Sequence, residues 1–77
     1  MNTLKKLSEL KCGEQGVIHS FSDEEMALKL MEMGCLPGDE VMLNFKAPLG
    51  DPVCIRISGY SLSLRLQEAA TINLTKG

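Results

Sequence analysis

The side chains able to do chemistry are few and widely spaced. Cys12, Cys35 and Cys54 are the three cysteines, and His19 is the one histidine. A thiol nucleophile needs a base held in place by a third group, and nothing in the spacing sets His19 beside a cysteine. A structural zinc site needs four closely spaced ligands, and no C-x-x-C pair occurs. The cysteines therefore read as free thiols buried among apolar neighbours. Asp23, Glu24 and Glu25 offer carboxylate oxygens, but adjacent helical residues diverge and could not all grip one ion. Their consecutive placement is explained by the positive end of a helix dipole.

The glycine-containing stretches "GEQG" and "SGYS" lack the strand–loop–helix setting and the lysine of a phosphate cradle. Arg56 and Arg65 are the two arginines. Either could in principle stabilise charge on a partner's nucleotide; Arg56, on the polar face of a strand, also fits a solvated residue lying over the sheet. The sequence carries no recognisable catalytic set, so the reading is a non-enzyme without a cofactor or resident metal.

Binding through shape is left. "APLGDPV" (Ala47 to Val53) places prolines at 48 and 52 around Leu49, Gly50 and Asp51. Each proline fixes its own φ and biases its predecessor toward extended backbone. A loop ordered in advance loses little entropy when a partner docks, so Pro48, Leu49, Gly50, Asp51 and Pro52 are candidate contacts. The competing expectation is that Leu49 folds back over one end of the core.

The elements that must position this loop are short. Seventy-seven residues, 44% apolar and 23% charged, suit one small domain over 1–77. The net charge of −2, with dispersed basic residues, argues against nucleic-acid binding. No apolar run approaches a bilayer span and the start does not resemble a signal peptide, so a cytoplasmic location without membrane insertion is expected.

Leu4, Leu7 and Leu10 fit one helical turn, and Val17 to Phe21 a strand whose inward face stays open. Ser22 and Glu25 form a capping-box pattern, with Phe21 and Met26 as its hydrophobic staple. Residues 23–33 then read as an amphipathic helix with Met26, Leu30 and Met33 on the apolar face, closed by Gly34. Pro37-Gly38 suits a type II turn. Val41, Leu43 and Phe45 alternate inward along 40–46. A two-residue turn at Ser58-Gly59 would set Ile57 opposite Tyr60, Ile55 opposite Leu62 and Val53 opposite Leu64. All six would share one side, with Cys54, Arg56, Ser61 and Ser63 on the other. "RLQEAA" reads as a helical turn and 71–75 as a last strand with Ile72 and Leu74 inward. About five short strands with one inserted helix would leave long edges unless the sheet curls. A mainly β, small, partly open SH3-like barrel follows.

"LSELKCGEQGVI", "LKLMEMGCLPGDEV" and "FKAPLGDPVCIRISGYSLSLRLQEAATINL" resemble the ferrous iron transport protein A family over residues 7–75. The resemblance implies the same SH3-like barrel and a small cytoplasmic accessory of bacterial ferrous iron uptake. Its implied partner is ferrous iron transport protein B, a membrane permease with a cytoplasmic GTP-binding domain, which would hold it at the inner membrane face. Gly34, Pro37 and Gly38 match the family turn, residues 48–52 its loop, and Gly59, Tyr60 and Leu62 its hairpin. Tyr60 and Arg56 join the loop residues as candidate partner contacts. Relatives carry more arginine around the helix than "EEMALKLMEM", which argues against a basic docking patch.

A metal-sensing module for a divalent ion such as ferrous iron is the second reading. A proline-peptide SH3 domain is disfavoured by having three aromatics in all. The sequence leaves open the oligomeric state, and whether the protein stimulates GTP hydrolysis, gates the pore or only assembles the complex.

Overall fold

A computed structural model describes residues 4–75; residues 1–3 and 76–77 of the expected 1–77 domain lie outside them. The chain runs β1 (Lys5–Lys6), a 3-10 turn (Leu7–Glu9), β2 (Gln15–Phe21), α1 (Glu24–Glu32), β3 (Glu40–Lys46), β4 (Val53–Ile57), β5 (Tyr60–Leu64), α2 (Leu66–Ala69) and β6 (Ile72–Thr75). The strands form one antiparallel sheet in the order β1-β6-β2-β3-β4-β5, and among the described residues α1 is the one helix longer than a turn. The expected mainly β, curled architecture is found with a sixth strand.

That extra strand corrects the reading of 4–10 as one helical turn. A three-residue spacing also satisfies a 3-10 turn, and Leu10 N–H donates to the Leu7 carbonyl at 3.2 Å. Leu7 and Leu10 are buried, but Lys5 and Lys6 are extended and pair with Leu74 and Asn73, leaving Leu4 exposed.

The helix starts one residue later than the capping-box pattern implies. Asp23 is the cap, its Oδ1 accepting from Met26 N–H at 3.0 Å. Ser22 instead bonds across the sheet, its N–H donating to the Thr71 carbonyl at 2.8 Å and its hydroxyl to the same oxygen at 3.4 Å. A carboxylate at the cap gains from both hydrogen bond and dipole, which favours Asp23 over the neighbouring hydroxyl. Phe21 and Met26 still pack against the core.

At the other end Met33 is the cap and Gly34, at φ +107°, follows it. Gly34 N–H donates to the Met31 carbonyl and Cys35 N–H to the Leu30 carbonyl, at 3.1 and 2.9 Å. These two bonds make a Schellman motif, with buried Leu30 and Cys35 as its hydrophobic contact. A nine-residue helix is marginal alone. Burying Leu30, worth roughly 1.5–3 kcal/mol, ties it to the sheet.

Two bulges decide which side chains face inward. Between Ile18 and Ser20 the pairing of β2 with β6 slips at His19. Gly16 and Ile18 face the core before the slip, and Phe21 packs on it afterwards, which resolves the open choice of faces. A second slip between Leu43 and Phe45 leaves Asn44 over in the pairing with β4. An extra residue reverses the alternation, so Phe45 is 58% exposed rather than inward.

The hairpin has the register the turn demands: Ile57 opposite Tyr60, Ile55 opposite Leu62 and Val53 opposite Leu64. Ser58 and Gly59 both take positive φ, 52° and 82°, as a type I′ turn requires. Val53, Ile55, Ile57 and Leu64 are buried and Leu62 packs against them. Tyr60 shares their face but lies at its margin, 44% exposed.

Candidate docking site at the proline loop

Between β3 and β4 the chain makes a hydrogen-bonded reversal. Gly50 N–H donates to the Ala47 carbonyl at 2.7 Å, and Ala47 N–H to the Pro52 carbonyl at 3.0 Å. With Pro48 and Pro52 restricting the rest, the loop has a defined shape. Leu49 stands at its tip, 95% exposed, so it does not fold back over the core.

The loop is fastened to the next element. Asp51 Oδ1 accepts from Leu66 N–H, the first amide of α2, at 2.9 Å. The helix α2 is in turn fastened to α1, because Lys29 Nζ lies 2.7 Å from Glu68 Oε2. Glu68 is buried while Lys29 reaches in from solvent, and Glu68 Oε1 also accepts from Arg65 N–H at 2.9 Å. These bonds, led by that from Lys29, hold the Glu68 carboxyl below its ordinary range against the opposing effect of burial.

A groove of about 530 Å³ opens where the three segments meet. Lys29 and Met33 line it from α1, Asp51 and Pro52 from the loop, and Ser63, Leu64, Arg65 and Glu68 from β5 and α2. Its walls mix two cations, two carboxylates and apolar surface, with no aromatic ring among them. Such a site binds by shape and by a few polar contacts rather than by stacking on proline.

The structure thus brings together Pro48, Leu49, Gly50, Asp51 and Pro52 and sets the other two candidates apart. Arg56 and Tyr60 lie at the turn end of the β4–β5 hairpin. Four strand steps at roughly 3.3 Å put Arg56 about 13 Å from the loop. Arg56 is exposed beside a shallow depression with Gln15, Glu40, Met42 and Gly59. Lys29 and Glu68 escaped the sequence reading as site residues, and Arg65, named there only as one of two arginines able to act on a partner's nucleotide, lines the groove. A glutamate in a four-residue helix gives no local sign that an α1 lysine will cover it.

Burial pushes the Cys35 thiol up to about 11, with Asp39 and Glu68 adding to the rise. It is therefore protonated near neutral pH and unreactive as a nucleophile. The expectation of buried thiols holds for Cys35, whereas Cys54 is half-buried and Cys12 is exposed in a turn. Among the described residues, no three His, Cys, Asp or Glu side chains converge as a metal site, and no helix is long and apolar enough to cross a membrane.

The FeoA domain model matches residues 5–76. Over 70 residues the chain is 40% identical to an Fe(2+) transport protein A/Fe(2+) transporter FeoB fusion protein of Porphyromonas gingivalis. The match takes in 90% of this chain and spans 8% of the length of that relative. An FeoA-like protein from Clostridium acetobutylicum superposes with a TM-score of 0.88 at 36% identity, covering 96% of this chain and 87% of that one. The FeoA of Stenotrophomonas maltophilia, solved with zinc and described as an SH3 domain protein, gives 0.77 at 28% identity over 94% and 89%.

Proposed function

The chain belongs to the FeoA domain family, associated with ferrous iron transport, and from that premise we propose that it is a non-catalytic accessory which docks on a ferrous iron permease. The occupant of the docking site is the permease's cytoplasmic GTP-binding portion. The fusion of the two functions in the Porphyromonas gingivalis relative supports the pairing, because joined domains work at high effective concentration. On this reading residues 1–77 act as one domain at the inner face of the membrane, and ferrous iron is the permease's cargo rather than a resident of this chain.

The proline loop is the reader. The observation that carries this is a leucine 95% exposed on a loop bonded both to itself and to α2. A large apolar side chain held in water on an ordered support gains on burial without a matching loss of chain entropy. Leu49 is the anchor, Pro48 and Pro52 set its direction, and the groove beside Asp51 receives the rest of the contact.

Cells that depend on this protein for ferrous iron uptake test the reading. Leu49→Asp is expected to lower uptake severalfold while the purified variant melts within a degree or two of wild type. Uptake equal to wild type would remove the loop from the docking site.

A further inference from the structure

The sheet ends in two edges that differ in kind. One is β1, two residues long and made of Lys5 and Lys6. A short, charged edge is a guarded one. The other is β5, "YSLSL", five residues with no charge and no proline.

The hairpin register settles which backbone groups of β5 are free. In a two-residue hairpin the closing pair exchanges hydrogen bonds, and pairs alternate from there. Tyr60, Leu62 and Leu64 therefore turn their amides and carbonyls to Ile57, Ile55 and Val53. Those of Ser61 and Ser63 point outward. Among the described residues no strand pairs with that side of β5, and neither serine's backbone bonds to any other segment. Both serines are exposed.

We propose that the outer edge of β5 is a self-pairing surface, on which a second copy of this chain adds its own β5 antiparallel about a twofold axis at Leu62. In that register Ser61 faces the second copy's Ser63, and the two exchange amide and carbonyl bonds on each side of the axis. Leu62 then lies beside its symmetry mate and Tyr60 beside Leu64, so the half-buried apolar face continues across the junction. No like charges are opposed across the axis, and an edge without charge or proline lacks the features that keep copies of a chain from pairing edge to edge. A five-residue strand buries far less than the roughly 1,200 Å² typical of stable complexes. The pair is therefore transient and forms with rising concentration.

Sedimentation and amide NMR of the full chain, run from low micromolar to millimolar concentration, test this. The mass should climb toward twice the monomer while the Ser61 and Ser63 amides shift most. Ser61→Lys, which sets like charges near each other across the axis, and Ser63→Pro, which removes one outward donor, should each hold the chain monomeric. Their unchanged melting would show that the fold is intact. Leu62→Cys, with Cys12 and Cys54 replaced by serine, should cross-link on oxidation, because directly opposed strand positions fit disulfide geometry. A monomer at every concentration, shifts centred elsewhere, or Ser61→Lys associating like wild type would overturn the proposal. So would β5 shifts that arise on adding the permease's GTP-binding domain and never with concentration.

Discussion

The hydroxyl of Tyr60 occupies the space over Gly34 into which a Cβ would project. One residue ends α1 and the other begins β5, so a contact between them fixes where the helix lands on the hairpin. Gly34 also holds φ +107°, which L side chains rarely adopt. Backbone strain and collision therefore act at the same position.

Gly34→Ala is expected to cost about 1–2 kcal/mol from the backbone alone, with the displaced tyrosine adding to it. Thermal melting of the single variant and of Gly34→Ala with Tyr60→Leu separates the two causes. The double variant should recover the steric part and keep the backbone part. Full recovery would show that the φ requirement is not limiting.

Acid should loosen the junction between α1 and α2. Glu68 titrates below its ordinary 4.5 in the folded chain, chiefly because Lys29 bonds its carboxylate. A depressed folded pKa contributes stability above the unfolded pKa, lost as pH falls through the folded one. Melting temperature should thus drop below about pH 4.5, and Glu68→Gln should flatten that drop. A residual slope persists from Glu14, also lowered, mainly by its bond from Lys11 N–H.

At neutral pH Glu68→Gln should destabilise by about 1.5–3 kcal/mol, the range for a hydrogen bond to a charged group. Urea unfolding measures it. A loss under half a kcal/mol would mean that the contact with half-exposed Lys29 contributes as little as a surface pair.

Asp51→Ala removes the bond from Leu66 N–H. The expected loss of stability is about 0.5–1.5 kcal/mol, with faster hydrogen exchange at the Leu66 amide. If loop order matters for docking, partner affinity should fall by more than the loss of stability explains. Equal exchange in variant and wild type would show that the prolines alone hold the loop.

The sequence revealed what local rules decide. The Ser58-Gly59 turn set the β4–β5 register, and Gly34 marked the end of α1. What it hid was non-local. Asn44 and His19 sit where the pairing of β3 with β4 and of β2 with β6 slips by one residue, and nothing in "NFK" or "IHS" announces that. The capping-box pattern points to Ser22, but Thr71, far along the chain, engages that serine and leaves the cap to Asp23. At the site, the stiffness of 47–52 was readable from two prolines. Its fastening through Asp51 to α2, and through Glu68 to Lys29, depends on segments that meet only in the folded chain.

The most direct test of the docking account is a titration of isotope-labelled protein with the permease's cytoplasmic GTP-binding domain, followed by amide NMR. The prediction is that shifts gather on Leu49, Gly50 and Asp51 and along α2 at Leu66 to Ala69, and that Leu49→Ala weakens them without moving the melting temperature. Absence of shifts at high concentration, or shifts confined to the Arg56 and Tyr60 end of the hairpin, would contradict it.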